Sequence, residues 1–222
     1  QDKCGDRLTR QVLNYYRLQP DAHIASANFV AYITEQKFRL SPIAEVEEDL
    51  KVIQDYQPRA RRVFLTGANP FALSYNRLLD LGLLIRKYLR YCESIGMFSR
   101  ISDIKSKTVE ELQNLRHLGF DSISIGTESG DDNTLAMMNK GYTANDIIEQ
   151  CKKLEEANIR YNFVYLTGLA GRNKGEQNAV NTANVFNQLH PFTINFVSLT
   201  VFPESELYQE IQCGNFCRSN RT

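Results

Sequence analysis

Polar residues that close short apolar runs are the groups in this sequence best suited to chemistry. In "DSISIGTESGDDNTLAMMNKG", residues 121–141, an apolar run ends in Thr127-Glu128-Ser129-Gly130, which sets a carboxylate at the end of a buried segment. A lone loop acid is ordinarily a solvated one. Three other runs close in a similar way: "VFLTGAN" on Gly67, Ala68 and Asn69, "GMFSR" on Ser99 and Arg100, and "YLTG" on Thr167 and Gly168. Taken singly, each has a plain explanation, such as a turn glycine or a surface arginine in an ion pair. Taken together, they become candidates for one ligand site if the fold brings the run ends into a shared mouth.

The surrounding pattern does this. From Ser41 onward, helical and strand patterns alternate. Ser41-Pro42 reads as cap and first turn of a helix running to about Tyr56, with Ile43, Val46, Leu50 and Ile53 on one face. Strands are expected at 62–66, 97–101, 123–126, 161–167 and 193–201, with helices at about 74–93, 108–119, 143–158 and 177–189. Thr108 with Glu111 forms a capping box, and Gly119 closes that helix. Strands joined by helical crossovers run parallel, and the crossovers are right-handed. A barrel and a doubly wound sheet both satisfy this, and in either one the loops at the strand C-termini line the site. Glu128 therefore points into a shared mouth.

Bulk properties narrow the class. Lys and Arg total 26, as do Asp and Glu, so the net charge is zero and nothing points to nucleic acid or an anionic membrane. No apolar run approaches the length of a spanning helix, and no signal peptide opens the chain. The five cysteines, Cys4, Cys92, Cys151, Cys213 and Cys217, are odd in number and scattered, as expected for reduced thiols in a cytoplasmic protein. No dinucleotide or Walker-type glycine loop follows any strand, which weakens a plain nucleotide-binding reading.

The segments "KFRLSPIAEVEEDL", "VFLTGANPF", "SRISDIKSKTVEELQNLRHLGFDSISIGTESGDDNTLAMMNKGYT", "YLTGLAGRNKGEQNAVNTANVFNQLHP" and "VSLTVFPESELYQEIQCGNF" resemble the radical S-adenosylmethionine (radical SAM) superfamily. The resemblance is to its oxygen-independent coproporphyrinogen oxidase-like group. It covers about residues 37–216 and implies an α/β fold, a partial (β/α)6 TIM-like barrel of parallel strands with outer helices. Residues 1–36 are then an irregular segment replacing or covering the first strand, and 217–222 a tail.

The resemblance implies S-adenosylmethionine as the small-molecule cofactor and leaves the substrate open. Gly67, Ala68 and Asn69 lie at the motif that contacts the methionine amino group, with Asn69 offering a carbonyl where the family has an acid. Ser99 and Arg100 lie at polar cofactor contacts, Glu128 at the ribose-binding position, and Gly168 beside the adenine. The family also uses a 4Fe–4S cluster held by three closely spaced cysteines before Lys37-Phe38-Arg39. Here Ala25, Val30 and Ile33 fall on those positions, and no cysteine lies between Cys4 and Cys92. Ala, Val and Ile cannot ligate iron. Two accounts fit: a truncated or rearranged copy that has lost the cluster loop, or a cluster-less relative that keeps the scaffold for binding. On either account "IASANFVAYI", within 22–34, is expected to pack as a strand beside 62–66.

Overall fold

The computed structural model of the protein describes residues 41–65, 69–203, 205–214 and 216–217. Five strands, β1 (Arg62–Leu65), β2 (Ser94–Ser99), β3 (Phe120–Glu128), β4 (Tyr161–Thr167) and β5 (Thr193–Ser198), form one sheet in the order β1-β2-β3-β4-β5. Every neighbouring pair is parallel. A doubly wound sheet reverses its strand order at a switch point. This order has no reversal, so each crossover advances by one strand in one direction, the pattern of a barrel wall.

The crossovers are helices: α1 (Ile43–Tyr56) leads into β1, and α2 (Tyr75–Tyr88) joins β1 to β2. Between β2 and β3 come α3 (Ile101–Lys105) and α4 (Val109–His117). Between β3 and β4 come α5 (Asp132–Met137) and α6 (Ala144–Glu156). The α7 helix (Gly175–Phe186) joins β4 to β5, and α8 (Glu206–Gln212) follows β5. The Thr108 cap read from the sequence is present, and a second capping box opens the helix expected at 143–158. Thr108 and Glu111 exchange backbone-to-side-chain bonds of 2.9 and 3.1 Å, and Thr143 with Asp146 does the same at 2.9 and 3.2 Å. Gly119 closes α4 with φ +102°, a conformation that a side chain resists.

The two faces of the sheet differ. Val63, Leu65, Ile95, Met97, Ile123, Ile125, Tyr161, Phe163 and Tyr165 are buried in one apolar core with Val46 and Leu50 of α1, Leu81 and Ile85 of α2, Leu112 and Leu115 of α4, and Cys151 and Leu154 of α6. The alternate positions, Phe64, Ser122, Ser124, Asn162 and Val164, are only half-buried. A parallel sheet covered on both faces reads as a continuous apolar run. Along β1 to β4 helices cover one face, and the other carries serines and an asparagine, whereas β5 is exposed throughout. Gly96 belongs to this second face, where a Cβ would come within 2.9 Å of the Phe64 ring. Phe64 in turn meets Phe98 edge to face at 5.1 Å.

Several boundaries shift from those expected. The second strand begins at Ser94, not Met97, because the preceding helix stops at Tyr88 and a turn through Cys92 returns the chain to the sheet. It ends at Ser99, and Ile101 already begins α3. The third strand extends to Glu128, and the last one ends at Ser198, short of residue 201. The first helix starts at Ile43, one residue after the Pro42 that was read as its first turn. Helix α8 was not expected at all; Ser205 caps it by accepting from Tyr208 N. The strand expected in 22–34 lies outside the described residues, as do Gly67 and Ala68.

Candidate functional site

Four residues expected at the mouth are described next to the C-terminal ends of β1, β2 and β3. Asn69 follows β1 and is almost fully buried. Its Nδ2 donates to Asp103 Oδ2 at 2.6 Å, and its Oδ1 is buried with no hydrogen-bond partner among the described residues. Ser99 ends β2, and its hydroxyl is turned onto the Arg100 carbonyl at 2.9 Å. Arg100 caps α3. Its backbone N–H donates to Asp103 Oδ2 at 2.7 Å, and its guanidinium pairs with Asp103 Oδ1 at 3.2 Å. One carboxylate, that of Asp103, therefore joins the loop after β1 to the loop after β2.

A second lock lies behind it. Lys107 is buried and donates to Phe71 O at 2.8 Å and to Asp103 O at 3.1 Å, with its ammonium 4.6 Å from the centre of the Phe71 ring. Burial pushes its pKa down to about 8. Asp103 and Lys107 thus clamp 69–71 onto α3, whose own short length gives it little independent stability.

Glu128 ends β3 in the left-handed region, φ +59°, where the register against β4 slips between Gly126 and Glu128. A bulge at a strand end re-aims a side chain, and a non-glycine residue held in this region is strained. The carboxylate is folded back over Gly126, where a Cβ would stand 2.9 Å from Glu128 Oε1. Lys140 Nζ lies 3.8 Å from the same oxygen, and both side chains are largely buried. Burial raises the Glu128 pKa, opposed by the Lys140 charge. Burial lowers that of Lys140, opposed by Glu128 and reinforced by the like charge of Arg100. The Tyr142 hydroxyl donates to Gly126 O and Thr127 O at 3.0 Å each, which anchors the α5–α6 loop under the pair.

The segment after Glu128 is rigid for a separate reason. Ser129, Asp131, Thr134, Asn178 and Asn181 form a connected polar network that ties this loop to α7. Asn178 bridges Ser129 at 2.7 Å and Tyr165 at 2.7 Å, and Asn181 holds Asp131 at 2.6 Å. Gly130 sits against α7, where a Cβ would come within 2.9 Å of Thr182 Cα. Gly168 stands apart from these contacts. It supplies a turn at φ +85° after β4, and the loop it opens packs through Gly171 and Arg172 on the Cys217 carbonyl.

Asp103, Lys107, Lys140 and Tyr142 were not singled out in the sequence. Lys140 and Tyr142 lie within the quoted segment that ends in "MMNKGYT", yet nothing local marks them. The assembled mouth presents an unpaired amide carbonyl, a carboxylate and two cations. This set suits a ligand that carries an ammonium, hydroxyls and a carboxylate. Among the described residues, no group of three His, Cys, Asp or Glu side chains is placed to hold a metal, and no helix is long and apolar enough to cross a membrane.

Comparison with known proteins agrees with this architecture. The chain is 24% identical over 162 residues to the heme chaperone HemW of Bacillus subtilis, covering 71% of this chain and 41% of that protein. Its fold is similar to that of methylornithine synthase (PylB), with a TM-score of 0.65 and 13% identity over 93% of this chain and 63% of the other. It is also similar to coproporphyrinogen III oxidase (HemN) of Escherichia coli, a radical SAM enzyme, with a TM-score of 0.59 and 13% identity over 95% of this chain and 50% of the other. The chain spans less than half the length of HemW. The family model of the radical SAM superfamily matches residues 24–183, well over half of the chain, and the protein belongs to that superfamily.

Proposed function

We propose that this chain is an S-adenosylmethionine-binding core, with the cofactor held across the C-terminal ends of β1 to β4. The observation that carries the reading is the buried, unpartnered Oδ1 of Asn69. A buried carbonyl without a partner costs about 1–3 kcal/mol, a cost that a ligand donor would remove. The ammonium of the cofactor's methionine end is such a donor. Arg100 and Lys140 supply positive charge for the neighbouring carboxylate, and Glu128, once ionised, accepts from a ribose diol. Ser99 braces the Arg100 backbone, and Gly168 lets the β4 loop turn close to the adenine.

Within the family the cofactor supplies a 5′-deoxyadenosyl radical when a 4Fe–4S cluster reduces it. Among the described residues, the thiols do not make up a three-cysteine cluster site, and Cys4 lies outside those residues. Cys92 and Cys151 are buried, and burial holds both toward the neutral thiol. Cys213 and Cys217 are exposed and are two, not three. This favours a second reading, in which the scaffold binds a nucleoside-type ligand without radical chemistry. Anaerobic incubation with iron, sulfide, dithionite and S-adenosylmethionine separates the two. Release of 5′-deoxyadenosine would support catalysis; its absence alongside ribose signals in ligand-observed NMR is the expected result. Absence of both overturns the binding proposal.

A further inference from the structure

The face opposite the mouth carries a basic cleft of about 490 Å3 lined by Arg59, Arg61, Arg86, Arg90, Tyr91, Cys92 and Glu93. Residues 59–61 lead into the N-terminal end of β1 and residues 90–93 into that of β2, so the cleft lies across the sheet from Glu128 and Arg100. We propose that it binds a small ligand bearing two or more adjacent phosphate groups.

The charge balance is local. The whole chain has equal numbers of acidic and basic residues, yet this cleft holds four arginines against one carboxylate. Glu93 is committed to Arg61, whose Nε and Nη2 both donate to Glu93 Oε1, at 3.0 and 2.6 Å. Arg86 donates to the backbone carbonyl of Cys92, which fixes the guanidinium without neutralising it. Arg59 and Arg90 have no ion-pair or hydrogen-bond partner among the described residues. Three positive charges therefore converge on one concavity with no acid left to balance them.

Each guanidinium presents a planar fork of donors that matches two phosphate oxygens. A single phosphate engages one fork well; adjacent phosphates are needed to occupy forks that approach from two loops. Tyr91 is 59% exposed at the rim and offers a ring face and a hydroxyl beside them. Buried Cys92 at the base has its pKa raised by burial, so the cleft is a binding surface without a ready nucleophile.

The test is titration calorimetry of the chain with inorganic tripolyphosphate, with inorganic phosphate and a hexaglutamate peptide as comparisons. One saturable site is expected, tighter for tripolyphosphate than for phosphate, weakening as salt is raised. Arg59→Ala with Arg90→Ala should weaken it at least about tenfold, as expected for loss of two charge-assisted contacts. Glu93→Gln frees Arg61 and should tighten it severalfold. All three positions are exposed, and circular dichroism melts verify that the variants fold. No saturable binding, or equal binding by the double arginine variant, overturns the site. Tighter binding of hexaglutamate than of tripolyphosphate overturns the ligand class in favour of an acidic polypeptide.

Discussion

Asp103 Oδ2 accepts from Asn69 Nδ2 at 2.6 Å and from the Arg100 backbone N–H at 2.7 Å. An ionised carboxylate only accepts, so this contact fixes which way the Asn69 amide faces: its nitrogen toward Asp103 and its oxygen away. The unpaired carbonyl is thus aimed by a residue on another loop. Asp103→Asn lets the amide of Asn69 turn over and removes the charge facing Arg100. It should lower stability by about 1–3 kcal/mol in urea unfolding and weaken S-adenosylmethionine binding about tenfold. Unchanged binding would mean that the Asn69 carbonyl is oriented by something other than Asp103.

Lys107 gives stability a distinctive alkaline dependence. Its pKa in the folded chain is about 8, against 10.5 for the free group, so the unfolded state binds more protons between these values. Stability then rises with pH across that window, by at most on the order of 3 kcal/mol. Tyrosines and thiols whose pKa values are raised by burial act in the opposite sense at higher pH, so the useful quantity is the difference from Lys107→Met. Wild type should gain on that variant from pH 8 to pH 10.5; a constant difference would mean that the ammonium stays charged throughout.

Two glycines separate packing from binding. In Gly130→Ala the new Cβ meets Thr182 Cα at 2.9 Å, and the α7 backbone must move. A loss of roughly 1–3 kcal/mol is expected in thermal or chemical unfolding. In Gly126→Ala the clash at 2.9 Å is with Glu128 Oε1, the end of a flexible side chain. Stability should change by less than about 1 kcal/mol while the carboxylate is pushed aside, so cofactor affinity falls with the fold intact.

Glu128 links binding to pH with a sign opposite to its effect on stability. Burial raises its pKa above the ordinary 4.5. Between 4.5 and the raised value the folded chain binds more protons than the unfolded one, so this group's contribution to stability falls as pH rises through that window. Only the ionised carboxylate accepts from both ribose hydroxyls, so affinity for S-adenosylmethionine should rise over the same window. Glu128→Gln should flatten both profiles, and a binding profile that keeps its slope in the variant would assign the titration elsewhere.

The parts of this fold that were legible in the sequence are those set by short-range rules. The β4 strand is bounded by Asn158 and Gly168 and agrees to the residue, as does the Thr108 cap, whose partner lies within one helical turn. The β2 strand expected at 97–101 lies at Ser94–Ser99 and includes Gly96. The lack of a side chain at Gly96 is required by the Phe64 ring on the neighbouring strand, a contact absent from any local pattern. The mouth follows the same division. Glu128 could be found because a carboxylate at the end of an apolar run is locally odd. Asp103 lies 34 residues from Asn69, between the strand expected at 97–101 and the helix expected at 108–119, and Lys140 reaches Glu128 only after α5 has turned the chain back. Their roles come from tertiary contacts that periodicity does not encode.

Titration calorimetry of this chain with S-adenosylmethionine, run beside Asn69→Ala and Glu128→Gln, tests the binding core most directly. One site with a dissociation constant below about 1 mM is expected, weakened about tenfold or more in each variant. Asn69→Ala removes the buried carbonyl itself, so its effect should persist at every pH, whereas that of Glu128→Gln should grow as the carboxylate ionises. No saturable heat up to millimolar cofactor, or binding by both variants as strong as that of the wild type, would contradict a cofactor site at this mouth.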